Sequence, residues 1–173
     1  MTTIRRATVD DAETLALLAE RIFRDTFVTP DNRSDLDLYC AENFGAEVQQ
    51  QEILDSNVVT LLAEMEDQQI AFAQVRLHAP KASLSADRPS ELRRLYVAKE
   101  WHGRGVAKDM MAHIISAVAQ TGADHIWLGV WEHNPRAIAF YRKHGFDVVG
   151  EHVFHFGNDP QRDLIMMAKV QAM

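Results

Sequence analysis

Two groups of residues in this chain have types and spacings that could do chemistry. The first is Gly103-Arg104-Gly105-Val106-Ala107-Lys108, which follows the apolar segment Leu95-Tyr96-Val97 and opens a long amphipathic pattern. A strand, a glycine-rich turn and a helix N-terminus, in that order, present successive backbone N–H groups with the positive end of a helix dipole behind them. That is a cradle for a phosphate or pyrophosphate. The second group is Asn134 and Tyr141, seven residues apart and therefore on one face of a helix, with the small Ala137 between them where a ligand could approach closely. A phenol so placed can donate a hydrogen bond to a departing thiolate. Outright proton donation from an ordinary tyrosine to a thiolate is uphill by about 2 kcal/mol, so hydrogen-bond stabilisation is the working description.

Bland readings stand beside these. Gly103 and Gly105 also suit a plain strand-to-helix connection, and Tyr141 also suits an amphipathic helix that only packs. The glycines match neither a P-loop, which needs Gly-Lys-Ser/Thr, nor the G-x-G-x-x-G dinucleotide fingerprint. His152 and His155 are three apart, which in a strand sends them to opposite faces, so no metal site is expected.

Thr3 to Ala7 alternates as a short strand, and Asp10 with Glu13 has capping-box spacing ahead of an amphipathic helix over Asp11 to Arg24. Asp35 to Asn43 and Glu47 to Leu54 suggest two short helices. Asn57 to Glu66 and Ile70 to Leu77 form a hairpin about Asp67-Gln68, and His78 to Pro89 is a loop. The strand Glu91 to Val97 precedes the glycine turn, and a helix runs from about Gly105 to Thr121, closed by Gly122. His125 to Trp131 is a strand with the apolar character of one covered on both faces. Asn134 caps the next helix, Pro135 fills its first turn and Gly145 ends it. Phe146 to Phe156 and Leu164 to Val170 are the last strands, joined through Gly157-Asn158-Asp159-Pro160. No repeat, linker or low-complexity tract interrupts the pattern, so one α/β domain over 1–173 is expected.

The 173 residues and 47% hydrophobic content suit a single core, and the net charge of −7 disfavours nonspecific nucleic-acid binding. No apolar run is long enough to cross a membrane, and neither a secretory leader nor a membrane partner is expected. With Cys40 the only cysteine, no internal disulfide can form; the expectation is cytoplasmic. Ten acids lie between Asp31 and Asp67 (Asp31, Asp35, Asp37, Glu42, Glu47, Glu52, Asp55, Glu64, Glu66, Asp67) against one base, Arg33. Such a segment is either a solvated face or an acidic rim that draws a cation.

His102-Gly103-Arg104-Gly105-Val106-Ala107 resembles the Arg/Gln-x-x-Gly-x-Gly/Ala signature of the GNAT acetyltransferases, with His102 standing where that family has Arg or Gln. The run from Asn134 to Phe146 is similar to the family's Asn-x-x-Ala-x-x-x-Tyr-x-x-x-Gly-Phe block, and Glu91 to Val97 resembles its fourth strand. The resemblance implies the GNAT fold, an α/β (α+β) arrangement with one mixed, mostly antiparallel twisted sheet of about seven strands and helices on both faces. It implies acetyl-CoA as cosubstrate and no metal. The pantetheine arm would run along backbone at Leu95 and Val97, with Tyr96 and Lys143 in the same cofactor set. The pyrophosphate would sit at Gly103 to Lys108, including Arg104, Val106 and Ala107, with Asn134 and Ala137 near the pantetheine and Tyr141 at the sulfur.

A lysine-like acceptor amine is protonated at pH 7, and its deprotonation costs about 4.6 kcal/mol, so a base or a water chain to one is needed. Glu91 is the candidate by position, with a salt bridge to Arg93 or Arg94 as its alternative role; His133 is the other candidate base. Phe27, Tyr39, Trp131, Glu91 and His133 are the expected acceptor-side residues. Trp127 to Asn134 and Gly157 to Met166 are similar to the PaiA-type polyamine acetyltransferases, which implies spermidine or spermine as acceptor. Acetylation of a protein N-terminus or lysine, and a coenzyme A-binding sensor with little turnover, are the alternatives. The implied partner is a small-molecule amine, and a homodimer is compatible with the sequence.

Overall fold

The computed structural model describes residues 1–171. All seven strands join one sheet: β1 (Thr3–Arg6), β2 (Val58–Met65), β3 (Gln68–Arg76), β4 (Pro89–Val97), β5 (His125–Trp131), β6 (Asp147–Phe156) and β7 (Asp159–Lys169). Their order is β1-β2-β3-β4-β5-β7-β6, with β4–β5 the parallel pair and the other neighbours antiparallel. Helices cover both faces, as the fold class expected from the resemblance requires. On one face α4 (Val106–Ala119) packs Met110, Met111, Ile114 and Val118 against Ala71, Ala73, Val75 and Ile126. On the other, α1 (Ala12–Phe27) and α2 (Arg33–Asn43) enclose Leu62 and Phe72 with Leu15, Phe23, Leu36 and Phe44. The period of two along β3 makes this division, sending Phe72 to one layer and its neighbours Ala71 and Ala73 to the other. Two shorter helices complete the fold, α3 (Ala46–Leu54) and α5 (Pro135–Lys143). Among the described residues, no helix is long and apolar enough to cross a membrane.

Several boundaries differ from the sequence reading. The first cap is Thr8 with Asp11, not Asp10 with Glu13: Thr8 N–H donates to Asp11 Oδ2 at 2.7 Å and Asp11 N–H to the Thr8 carbonyl at 3.0 Å. A 3₁₀ turn over Val9–Asp11 then leads into α1, which runs three residues beyond Arg24 to Phe27. The β2–β3 turn is Glu66-Asp67, both at positive φ (50° and 63°), so the hairpin is one residue tighter than expected. The last hairpin turns at Gly157-Asn158. Pro160 therefore lies inside β7 opposite His155, and the strand starts five residues before Leu164.

Asp11 also accepts both terminal nitrogens of Arg5 at 2.8 Å. Those bonds, with the Thr8 N–H, hold its carboxyl down at about 2 against the burial that opposes them. A folded-state value below the unfolded one contributes stability above about pH 4 that is lost as pH falls toward 2. Asp11→Asn should therefore lower stability by about 2 kcal/mol at neutral pH and flatten the acid limb of the Tm–pH curve between pH 4 and 2.

Candidate active site

The site begins with an irregularity in β4. The β3–β4 register slips between Gln74↔Arg94 and Val75↔Leu92, leaving Arg93 as an extra residue in a bulge. Normal alternation would send Arg93 and Arg94 to opposite faces. Instead both reach Glu52 of α3, Arg93 Nη1 to Oε1 and Arg94 Nη1 to Oε2, each at 2.8 Å. Arg94 is 4% exposed, also bonds Gln74, and stacks over the Phe44 ring at 5.0 Å. Glu52, from the acidic segment, thus holds the bulge from below. Glu52→Gln would leave a buried guanidinium without its counter-charge and should destabilise by about 3 kcal/mol, a Tm fall of roughly 6–12 °C. A Tm within 2 °C of wild type would remove Glu52 from this role.

The bulge directly follows the last β4–β5 pair, Glu91↔Trp127. Beyond it the two strands separate, and a cleft of about 1140 Å³ opens between Leu92–Val97 on one side and Gly129–Trp131 on the other. Ala98 N–H bonds the Ile70 carbonyl toward β3. By the period of two, the N–H and C=O groups of Leu95 and Val97 turn the other way, to the open edge. Leu95, Tyr96 and Val97 all line the same cleft.

At one end of the cleft the chain passes through a 3₁₀ turn, Lys99–Trp101, into the glycine turn. Gly103 (φ 77°) and Gly105 (φ 87°) are left-handed, and a Cβ built on either meets nothing within 4 Å, so conformation rather than crowding requires glycine here. The first helical bond is Asp109 N–H to the Gly105 carbonyl at 3.0 Å. The N–H groups of Val106, Ala107 and Lys108 precede it and lack a helical acceptor. Three free N–H groups at a helix N-terminus have the chemistry to receive an anion such as a pyrophosphate. Ala107 lines the cleft; Gly103, Arg104, Gly105, Val106 and Lys108 lie beyond its lining, with the Arg104 guanidinium 5.0 Å over the Trp101 ring.

His102 has other partners than an incoming phosphate. Its Nε2 lies 2.8 Å from the Val97 carbonyl and its Nδ1 2.8 Å from Arg136 Nη1. A donor at Nδ1 and an acceptor at Nε2 select the Nε2–H tautomer. His102 therefore ties the β4 end to α5 and occupies the Val97 carbonyl, leaving the Val97 N–H and both groups of Leu95 on the open edge. Arg136, which the sequence reading passed over, brings a guanidinium to the same rim.

On α5, Asn134 is the N-cap, its Oδ1 accepting from Ala137 N–H at 3.2 Å, and Pro135 sits in the first turn as expected. A ligand would meet the remaining amide N–H₂ of Asn134. Asn134, Ala137 and Tyr141 all line the cleft. The Tyr141 ring packs edge-on to Phe146 and Phe140, and burial pushes its hydroxyl up to about 12. Proton transfer from such a phenol to an ordinary thiolate is uphill by about 5 kcal/mol, more than the sequence alone suggested. Such a phenol suits hydrogen-bond donation better than proton transfer. Lys143 is exposed in the last turn of α5, outside the cleft lining.

The opposite end of the cleft is acidic and aromatic. Phe27 and Tyr39, which could have been core or wall, are both: half-buried, packed on Phe23 at 4.6 and 4.5 Å, and lining the cleft. Trp131 lies edge-on to Phe27, its indole N–H held by Gln161 Oε1 at 3.0 Å. Asp31, Asp35, Glu42 and Asp159 line the cleft as well, whereas Asp25 lines it beside the glycine-turn end, its Oδ2 3.4 Å from Lys99 Nζ. Much of the acidic segment is structurally engaged, since Asp37 pairs Arg24, Glu64 pairs Arg5 and Asp35 accepts from Asn158 N–H. Asp31 and Glu42 nonetheless face the cleft.

Glu91 lines the cleft where the strands part, and its partner is Arg76, 3.9 Å away, rather than Arg93 or Arg94, which Glu52 has taken. His133 does not face the cleft: its ring is exposed, 3.5 Å from Glu132 Oε1 and edge-on to Trp131. Asp163 was missed altogether. It is 8% exposed, lines the cleft, and burial raises its carboxyl to about 6. The available signal was a lone acid leading an apolar strand, which placing the strand start at Leu164 hid. His152 lines the cleft too, while His155, also at its lining, belongs to no metal-binding group; among the described residues no cluster of three or more His, Cys, Asp or Glu is placed to hold a metal.

The chain is 37% identical over 84 residues to an uncharacterized N-acetyltransferase of Mycobacterium tuberculosis, a match covering 49% of this chain and 54% of that protein. It thus spans about half the length of the curated relatives it matches. Among solved structures, a PaiA N-acetyltransferase from Thermoplasma acidophilum in complex with coenzyme A superposes with a TM-score of 0.79 at 22% identity, covering 98% of this chain and 99% of that one. An N-acetyltransferase from Staphylococcus aureus Mu50 does so with a TM-score of 0.75 at 13% identity, covering 98% of each. At those identities the likeness is one of fold. The acetyltransferase (GNAT) family model matches residues 17–146, which takes in the bulge, the cradle and α5 alike, and the chain belongs to that family.

Proposed function

We propose that this protein is an acetyl-CoA-dependent N-acetyltransferase, one domain acting on a primary amine, and that its acceptor is a small polyamine such as spermidine or spermine. The observation that carries the reading is the cleft left by the parting of β4 and β5. One end is the anion cradle of α4 with Tyr141 and Asn134, and the other is a wall of acids and aromatic rings. Anionic cosubstrate at one end and cationic acceptor at the other is what that division of charge favours.

In this reading acetyl-CoA supplies an acyl group already activated as a thioester. The N–H groups of Val106, Ala107 and Lys108 bind its pyrophosphate, with Arg104 and Lys143 near the rim. The open edge of β4 at Leu95 and Val97 orients the pantetheine arm, assisted by the Asn134 amide and the small Ala137. Tyr141 donates a hydrogen bond to sulfur as it takes up charge, in an environment dry enough to make that bond count. Phe27, Tyr39 and Trp131 wall the acceptor side. Glu91 draws the proton from the acceptor nitrogen through water, since it stands where the strands part and Arg76 is too distant to engage it fully.

Release of the CoA thiol from acetyl-CoA, followed against a panel of polyamines, amino acids and peptides with product mass as confirmation, tests this reading. Spermidine or spermine should give the largest kcat/KM. Peptide turnover with polyamines inert would move the acceptor to a protein terminus or lysine. Binding of acetyl-CoA with no amine turned over would leave a binding module.

A further inference from the structure

Beneath the acceptor end of the cleft, β5, β6 and β7 form a small polar recess. Asp163 of β7 stands opposite both Trp131 of β5 and His152 of β6 in the sheet register. Between their side chains lies Gly129, whose missing Cβ is what keeps the recess open. A Cβ there would sit 3.0 Å from His152 Cε1 and 3.2 Å from Asp163 Oδ2, closer than ordinary packing allows. Among the described residues, Asp163 Oδ1 and His152 Nδ1 are buried without hydrogen-bond partners. A carboxylate that is 8% exposed and has no cation beside it leaves a strong acceptor unsatisfied.

We propose that Asp163 receives an ammonium group of the acceptor, in a recess formed with His152 over Gly129. This assignment rests on the amine-acceptor reading above and names the residue that would carry its specificity. An ammonium carries donors enough for Asp163 Oδ1 and a ring nitrogen of His152 at once. The rings of Tyr39 and Trp131 offer it a π face on the way in. Burial lowers His152, so at neutral pH its ring can accept rather than repel. Burial raises Asp163 to about 6, so the site is mainly anionic at pH 7 and loses its charge in mildly acidic solution. The charged and titratable groups around the recess include Tyr39 from α2, Tyr96, Arg93 and Arg94 from β4, and Lys81 on the His152 side; both guanidiniums are paired with Glu52, and Gly129 and Trp131 of β5 bring no charge. Tyr39 and Tyr96 both feel Asp163 and are themselves raised by burial, so neither supplies a counter-charge.

The test is a calorimetric titration of spermidine into the full chain saturated with CoA, for wild type, Asp163→Asn, Gly129→Ala and Glu13→Gln, with turnover followed in parallel. Asp163→Asn keeps the shape and should weaken spermidine at least tenfold with CoA affinity unchanged. Gly129→Ala should weaken it by filling the recess. Glu13→Gln, at an exposed acid outside the cleft lining, should leave spermidine affinity within twofold. Wild-type affinity should fall below about pH 6, a dependence absent in Asp163→Asn. In turnover the Asp163→Asn defect should appear in the KM for amine, not in the KM for acetyl-CoA. Equal spermidine affinity in wild type and Asp163→Asn, or no binding to wild type, overturns the proposal. If amines are turned over but Asp163→Asn is unaffected, the recess assignment fails while the transferase reading stands. If spermidine binds in an Asp163-dependent way without turnover, the recess stands and the transferase reading fails.

Discussion

Tyr141→Phe is expected to lower kcat by about 10²–10³-fold, the scale set by loss of one transition-state donor, while the Kd for acetyl-CoA stays within about twofold. The ring packs against Phe140 and Phe146, and those contacts do not involve the hydroxyl, so the substitution leaves the helix and the cleft wall in place. In the proposed reaction, what it removes is the bond to sulfur as charge collects there. A hydroxyl pushed up to about 12 remains protonated throughout the working range. The rate should therefore show no basic limb from Tyr141 below about pH 10. Equal falls in kcat and kcat/KM would mark an interaction made only in the transition state. An unchanged kcat, measured under saturation by thiol release, would take Tyr141 out of the reaction.

Gly105→Glu is expected to weaken acetyl-CoA by at least a hundredfold, through like charge at the anion cradle and a side chain in the space beside it. Strain has to be separated from charge, because residue 105 sits at φ 87°. Gly105→Ala supplies that separation: nothing lies within 4 Å of its Cβ, so it carries only the left-handed penalty of about 1–2 kcal/mol. Its Tm should fall by a few degrees, with acetyl-CoA affinity reduced no more than about fivefold. If the two variants bind acetyl-CoA alike by calorimetry, charge at this turn is not what governs the cofactor.

The parts of this molecule that follow from local rules could be read from the chain. Asn134-Pro135 capping α5, Gly145 ending it, the β-rich run at Val58 to Met65 and the glycine turn before α4 each depend on residues within one or two turns of themselves. Even some local features slipped. Asp10 and Glu13 had capping-box spacing, but Thr8 and Asp11 make the box because Asp11 is also held by Arg5 from β1, a contact no spacing reveals. The positive φ of Glu66 and Asp67 tightened a hairpin that carries no glycine to advertise it.

The site was legible where motif and helix coincide and obscure where it depends on distant partners. The bulge at Arg93 decides where the cleft opens, and it is held by Glu52, some forty residues away in the chain. His102 reads as a weakened phosphate contact until Arg136 and the Val97 carbonyl claim both its nitrogens. Asp163 looks like part of a polar turn until Pro160 is seen to continue β7. The strand's alternation then turns Asp163 inward, toward a glycine on one neighbouring strand and a histidine on the other. These are properties of the sheet's register, and register is set by pairing across the whole chain.

In the proposed function the parted strands hold acetyl-CoA with its phosphates on α4 and its sulfur at Tyr141. A crystal structure of the protein with CoA decides this. The predicted result has pyrophosphate oxygens within hydrogen-bond distance of the N–H groups of Val106, Ala107 and Lys108, the pantetheine along Leu95 and Val97, and the thiol beside the Tyr141 hydroxyl. CoA bound elsewhere on the molecule, or with its phosphates away from the α4 N-terminus, would contradict it.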